Sequence, residues 1–237
     1  MDYDIVKKIL SKKNNIVITT HKTPDGDALG SALALFNALK DEHNVHVIVP
    51  NEYPHNLKWL PLNDQVIIYE NNTNNADLII KKTDLIFFLD FNKLYRTYNM
   101  SDVLAKSSAY KIMIDHHEEP DLFCDQMLSN SSICSTAELV YDFLLGIESP
   151  FNKNIAISLY TGIITDSGSL RYPNVTAETH LKVSKLMEYG IDHAGIHRKL
   201  FDSQNKSRFE LLKICLNNLH FFKNETIALT YLMEDDL

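Results

Sequence analysis

The 237 residues include three cysteines, one tryptophan, seven glycines and seven prolines, and these scarcities narrow the reading. Cys124, Cys134 and Cys215 are odd in number and stand at no metal-ligand spacing, so they frame neither a disulfide scaffold nor a zinc knuckle and read as buried free thiols. No apolar run approaches the roughly 18 residues that a membrane-spanning helix needs. The opening segment MDYDIVKKIL is amphipathic and mixed in charge, with neither a long apolar core nor a small-residue cleavage site. A cytoplasmic protein with no membrane partner is expected. Positive charge is also short: 23 Lys and Arg against 31 Asp and Glu leave a net charge of −8. Gripping a long nucleic acid takes a broad basic surface, so such a partner is excluded. Small anionic substrates stay open if metal ions supply local positive charge. There is no internal repeat, no low-complexity tract and no Gly/Pro-rich hinge, and residues 71–75 (NNTNN) read as a polar loop.

What is present is an alternation of short apolar strands with helical patterns. Residues 15–20 (NIVITT), 45–49, 66–69, 84–89 (DLIFFL) and 110–114 read as strands, and residues 28–41 have helical apolar spacing. Continuous apolar strands between helices predict an α/β fold with a parallel sheet, whose ligands lie at the carboxyl ends of the strands. Asp90 and Asp115 both fall there. Residues 135–145, 152–165 and 176–189 read as helices, with Gly190 as a stop. Residues 191–219 read as connecting helix and 226–233 (TIALTYLM) as a strand that begins something new. The expected organisation is a first domain over 1–190, linker helices over 191–220, and over 221–237 the start of a truncated C-terminal α/β domain.

Residues 21–31, HKTPDGDALGS, lie between a strand and a helix and bring three potential metal ligands, His21, Asp25 and Asp27, into one turn. Pro24 and Gly26 permit a tight loop, and Gly30 and Ser31 suit close helix packing. Helix capping by Asp25 or Asp27 is the competing reading, but a cap needs one carboxylate and explains neither His21 nor the second Asp. Residues 112–117 (IMIDHH) are an apolar strand opening into Asp115, His116 and His117. Two adjacent imidazoles cannot face one way from an extended backbone, so a division of labour follows, one on a metal and one toward substrate. The alternative is a loop with one His on the core and one in solvent. Arg96 and Arg171 are candidate phosphate contacts, since a guanidinium fork matches two phosphate oxygens, and either could instead be a structural cation. His180, His193, His197 and His220 fall on predicted helices without carboxylate partners, and Trp59 and the tyrosines carry no nucleic-acid-binding pattern.

In their order these segments resemble the DHH phosphoesterase family. Residues 21–31 are similar to its H-x-x-P-D-x-D-x-x-G-S motif, Asp90 with Arg96 to its Asp followed a few residues on by Arg, and Asp115-His116-His117 to its namesake. Residues 161–171, TGIITDSGSLR, are similar to its T-G-x-x-x-D-T-G-x-F-R segment, with Ser167 for Thr and Leu170 for Phe. The likeness spans residues from about 15 to 190. It implies two divalent cations, usually manganese, with magnesium or cobalt as substitutes. His21, Asp25 and Asp90 would hold one and Asp27, Asp90, His116 and Asp166 the other, with Asp90 bridging; mixed imidazole and carboxylate donors agree with manganese. A metal-bridging hydroxide would attack phosphorus. His117 would contact the phosphate or assist the leaving group, Asp115 would orient a histidine, and Arg171 would meet substrate.

Relatives of this kind hydrolyse short oligoribonucleotides, linear or cyclic dinucleotides, or 3′-phosphoadenosine 5′-phosphate. Their second domain carries a Gly-rich segment with a His, and this sequence has none. The expectation is therefore a manganese-dependent phosphodiesterase or phosphomonoesterase on small nucleotides. A pyrophosphatase or polyphosphatase and a non-catalytic metal- or nucleotide-binding module are the alternatives, and a homodimer is left open.

Overall fold

A computed structural model describes residues 1–202 and 206–234. The chain divides into two compact units, Met1–His193 and Ala194–Leu237. The first unit contains α1 (Tyr3–Leu10), β1 (Asn15–Thr19), α2 (Gly26–Leu39), β2 (Asn44–Val49), β3 (Val66–Ile68), α3 (Tyr69–Lys81), β4 (Leu85–Leu89) and α4 (Ser101–Lys106). These are followed by β5 (Tyr110–Asp115), β6 (Gln126–Ser129), α5 (Thr136–Gly146), α6 (Lys153–Asp166) and α7 (Ala177–Met187).

The six strands form one sheet in the order β3-β2-β1-β4-β5-β6, with every pairing parallel. This is the α/β class with a parallel sheet and flanking helices that the strand pattern implies. The apolar runs of β1 and β4 are buried because helices cover both faces. Val17, Ile86, Phe88 and Met113 face Tyr69, Ala76 and Ile80 of α3 and Leu104 of α4. On the other face Phe87 meets Phe143 of α5 edge-on at 5.6 Å. The chain winds outward in opposite directions from β1 and from β4, so these neighbours mark a topological switch point, where such sheets open a ligand crevice.

Three helices behind that crevice pack closely through small residues. A Cβ added to Gly30 of α2 meets the Ser158 carbonyl oxygen of α6 at 2.5 Å, and one added to Gly162 of α6 meets the Ala137 Cβ of α5 at 2.5 Å. The glycines serve approach rather than backbone freedom here. Gly30→Val is expected to destabilise the protein by about 1–3 kcal/mol in urea melts, since neither obstacle is a flexible side-chain tip.

Several expectations shift. Residues 71–75 are not a loop but lie within α3, whose helix breaks only at Asn72 (φ −140°, ψ 34°). Tyr69, Ala76 and Ile80 anchor it to the core, and tertiary burial outweighs the local preference of asparagine for turns. The strand of residues 66–69 ends at Ile68. Strand β6 and helices α1 and α4 were not foreseen as elements.

In the second unit, α8 (His193–His197) runs from its boundary into a π-helical turn (Arg198–Asp202), followed by α9 (Lys206–Asn217), β7 (His220–Phe222) and β8 (Ile227–Leu229). The strand expected over 226–233 shortens to β8, which pairs antiparallel with β7. His220 is therefore on a strand, not a helix. Every residue of the two hairpin strands is exposed. Residues 203–205 of the expected linker and 235–237 of the expected second domain lie outside the described residues. No helix of the described residues is long and apolar enough to cross a membrane.

Candidate metal centre

The predicted site residues come from four segments at one end of the sheet. His21 follows the end of β1, Asp25 precedes α2, Asp27 lies in its first turn, Asp90 follows β4, His116 and His117 follow β5, and Asp166 ends α6. Asp25 does cap α2, its Oδ1 accepting from the Asp27 and Ala28 amides at 3.0 Å each. Capping and clustering are thus combined rather than alternative. Asp90 has φ +66°, in the left-handed region that Asp and Asn tolerate better than other side-chain-bearing residues.

Potential ligand atoms fall into three groups, each within 4.8 Å: His21, Asp25 and Asp90; Asp27, His116 and Asp166; and Asp90, His116 and His117. Asp90 is shared. Its Oδ2 lies 3.4 Å from His21 Nε2, and its Oδ1 lies 3.5 Å from His116 Nε2. His116 Nε2 is also 3.4 Å from Asp166 Oδ2. Both histidines are turned by main-chain oxygens: His21 Nδ1–H donates to Lys22 O at 2.8 Å, and His116 Nδ1–H to Ile133 O at 3.3 Å. That tautomer leaves each Nε2 lone pair toward the carboxylates, as metal coordination requires. His117 is oriented differently. Its Nδ1 bonds the Asp115 Oδ1 at 2.7 Å, and its ring stands edge-on to His116 with centroids 4.7 Å apart.

The charges in this cluster do not balance among themselves. Burial, reinforced by the charges of Asp90, Asp166 and Asp25, holds the Asp27 carboxyl well above the usual carboxylate range. Asp166 is pushed up to about 6, first by burial and then by Asp90 and Asp25 against an opposing His116. Burial also raises Asp90, but its bond to His21 and the nearby charges of His21, His116 and His117 outweigh that and bring it below its ordinary value. For His117 the Asp115 hydrogen bond outweighs burial and raises the pKa. Buried carboxylates that repel one another, with imidazole lone pairs between them, fit divalent cations: cations relieve the repulsion and accept these hard and borderline donors.

Thr136, at the start of α5, was not singled out by sequence reasoning. It is fully buried; its Oγ1–H donates to Asp90 Oδ1 at 2.9 Å, and its amide donates to Asp27 Oδ2 at 2.6 Å. The Ala137 amide takes Asp27 Oδ1 at 2.8 Å. The N-terminus of α5 thus holds one cluster carboxylate through two N–H groups, and its first hydroxyl holds another. The sequence signal was modest: Ser135, a cap residue followed three positions later by Glu138, marks only a helix start. Glu138 is locked in turn by Thr179 at 3.2 Å and by Lys182 at 3.2 Å, and Lys182 also reaches Asp142 at 2.7 Å. Thr136→Val keeps the shape but leaves Asp90 Oδ1 without its donor, so manganese affinity by calorimetry is expected to fall about 10–100-fold, with Thr136→Ser near wild type.

Arg96 is half-buried, and its charge opposes protonation of His117. Arg171 is exposed, its Nε–H donating to the Gly168 carbonyl at 2.6 Å. His180 and His193 are exposed and lie outside the ligand groups of the described residues. Of the cysteines, Cys134 is buried and donates to Glu138 at 3.3 Å, whereas Cys124 and Cys215 are half-buried; all three are free.

Comparison with known proteins places the chain in a family. Residues 15–163 match the model of the DHH family, N-terminal domain. The chain is 30% identical to the bifunctional oligoribonuclease and PAP phosphatase NrnA of Thermus thermophilus, covering 93% of this chain and 64% of that protein. It is 28% identical to the probable bifunctional oligoribonuclease and PAP phosphatase NrnA of Streptococcus mutans, covering 92% and 67%. The crystal structure of an exopolyphosphatase-related protein from Bacteroides fragilis superposes with a TM-score of 0.93 at 37% identity, over 99% of this chain and 70% of that one. The chain spans about half to two thirds of the length of the curated relatives it matches first. With the family's N-terminal domain matched over most of its first unit, and the motif residues gathered at the ends of its parallel strands, the chain belongs to the DHH family.

Proposed function

We propose that this protein is a metal-dependent phosphoesterase acting on small nucleotides: short oligoribonucleotides, linear or cyclic dinucleotides, or 3′-phosphoadenosine 5′-phosphate. The observation that carries this reading is the convergence of His21, Asp25, Asp27, Asp90, His116 and Asp166 on one strand-end crevice, with Asp90 common to two ligand groups. His21, Asp25 and Asp90 would hold one cation, and Asp27, Asp90, His116 and Asp166 the other, with manganese preferred and magnesium or cobalt as substitutes. Bound there, such cations supply Lewis-acid polarisation of a phosphoryl oxygen and activation of a water nucleophile at neutral pH.

The remaining steps belong to the side chains. Asp115 fixes the His117 ring through Nδ1, so that Nε2 is the atom free to donate to a phosphate oxygen or to protonate the leaving oxygen. Arg96 would bind phosphate at the edge of the site, and Arg171 would join it through the guanidinium nitrogens other than Nε. The names of the NrnA relatives support oligoribonucleotides and PAP as the substrates to try first, and the net charge of −8 supports short ones. A cytoplasmic setting is part of this proposal.

Purified protein with manganese is expected to release mononucleotide from a dinucleotide panel, or phosphate from 3′-phosphoadenosine 5′-phosphate, with pyrophosphate assayed alongside. Turnover of pyrophosphate alone would overturn the nucleotide assignment. Calorimetric binding of manganese and nucleotide with no product would instead make the chain a binding module.

A further inference from the structure

Residues 94–101 include Arg96, whose charge reaches His117, and one of them has an unusual backbone. Tyr98 has φ 52° and ψ −120°, the torsions of the first central residue of a type II′ turn, where glycine is the residue without strain. Its neighbours hold it there. Thr97 is fully buried and its Oγ1–H donates to Leu94 O at 2.7 Å, Met100 is fully buried, and the Ser101 Oγ–H donates to the Tyr98 carbonyl at 2.6 Å. These contacts explain why the strain persists but not why a tyrosine bears it, because the residue contributes little to the core: Tyr98 remains 53% exposed.

The placement of that ring gives a reason. The Lys22 amide, next to the candidate ligand His21, donates to the Arg96 carbonyl at 2.7 Å. The Lys22 ammonium lies over one face of the Tyr98 ring, 3.7 Å from its centroid. An exposed aromatic ring, an ammonium and a guanidinium are thus gathered where this segment is tied by its backbone to the metal-ligand loop. Aromatic rings beside cations are how proteins hold single-stranded nucleotides, the ring taking the base and the cations the phosphates.

We infer that Tyr98 is a stacking platform for a nucleobase of the substrate, with Lys22 beside it for the adjoining phosphate. This rests on the phosphoesterase reading and narrows its substrates to phosphoesters that carry a base. The ring face that Lys22 leaves uncovered is the one offered to a base, and stacking there is open to any base because every base has a π-face.

The test compares kcat and KM, in manganese and with the full 237-residue chain, for a dinucleotide and for its abasic counterpart with the same sugar-phosphate backbone. Wild type is expected to prefer the dinucleotide. Tyr98→Ala and Tyr98→Gly are each expected to shrink that preference about tenfold, through KM rather than kcat, while Tyr98→Phe retains it. Tyr98→Gly relieves the backbone strain and is expected to melt no lower than wild type, so a lost preference in that variant is not a folding defect. A preference unchanged in both variants, including the case where both substrates slow together, overturns the inference and leaves the phosphoesterase reading standing. So does a wild type that cleaves the abasic compound equally well. Cleavage of neither compound overturns the phosphoesterase reading, and the inference with it.

Discussion

Asp90→Asn is expected to lower kcat/KM with manganese by more than about 10³-fold while leaving the fold intact. The size follows from position. One oxygen of Asp90 faces His21 and the other faces His116, so this single carboxylate would serve both proposed ligand sets and its loss would weaken both. Asparagine is the informative replacement. The backbone here has φ +66°, which asparagine accepts and alanine does not, so Asp90→Ala would mix strain with the loss of charge. Asparagine also keeps an oxygen that can accept the Thr136 hydroxyl. Steady-state kinetics, a thermal melt and a manganese titration on the same preparation separate the effects: the expected result is a cooperative melt of a folded protein, a reduced number of bound ions and lost turnover. Activity within tenfold of wild type would remove Asp90 from the centre of the site.

Stripped of metal, the protein is expected to melt at progressively lower temperature as pH rises from about 4 to above 7, and manganese is expected to reverse that trend. Burial first, then Asp90 and Asp25, push Asp166 up from the ordinary 3.8 to about 6, and Asp27 is displaced in the same direction. A carboxyl whose folded pKa is raised stabilises the fold in its protonated form, and that contribution is lost as pH climbs from the ordinary value through the folded one. His21 is raised as well: burial lowers it, but the Asp90 hydrogen bond and charge outweigh burial. His117 shares that direction, so both histidines contribute stability below about 6.5 that disappears as pH rises through their folded values. Asp90, whose pKa is lowered, loses its contribution only below its ordinary 3.8. These cluster terms therefore point the same way above pH 4; His43 and His46, whose pKa burial lowers, oppose them in part as pH rises toward the ordinary histidine value. Metal requires the deprotonated carboxylates, so its binding strengthens over the same interval. At a thousandfold excess over Kd the gain is about 4 kcal/mol, or roughly 8–16 °C for a domain of this size. Calorimetric melts at pH 5, 6, 7 and 8, with chelator and with manganese, check both halves. A metal-free midpoint that is flat or rises with pH, or one that manganese does not move, would contradict the electrostatic account of the cluster.

The parallel sheet and the strand-end placement of Asp90 and Asp115 were legible because continuous apolar runs such as residues 84–89 suit only strands covered on both faces. The loop of residues 21–31 was legible for another reason: three ligand-type residues in one turn exceed what capping requires, and Asp25 shows that one carboxylate can also serve both purposes. Residues 71–75 misled because asparagines favour turns in isolation, whereas here Tyr69, Ala76 and Ile80 gain enough burial to hold the helix around them. Tyr98 gave no local sign, since nothing in the sequence marks a tyrosine that sits where glycine is at ease.

The sequence by itself determined the class of chemistry, since residue type and local spacing specify which side chains can bind a hard or borderline cation and which stretches become strands. The family resemblance already implied that Asp90 is shared, and the tertiary structure alone decided what steadies it. Asp27, Asp90 and Thr136 are far apart along the chain, and nothing local records that α5 lays two amides on Asp27 and a hydroxyl on Asp90. That contact exists because Gly30 and Gly162 let α2, α5 and α6 close behind the crevice, and only the packed sheet and helices together fix that approach.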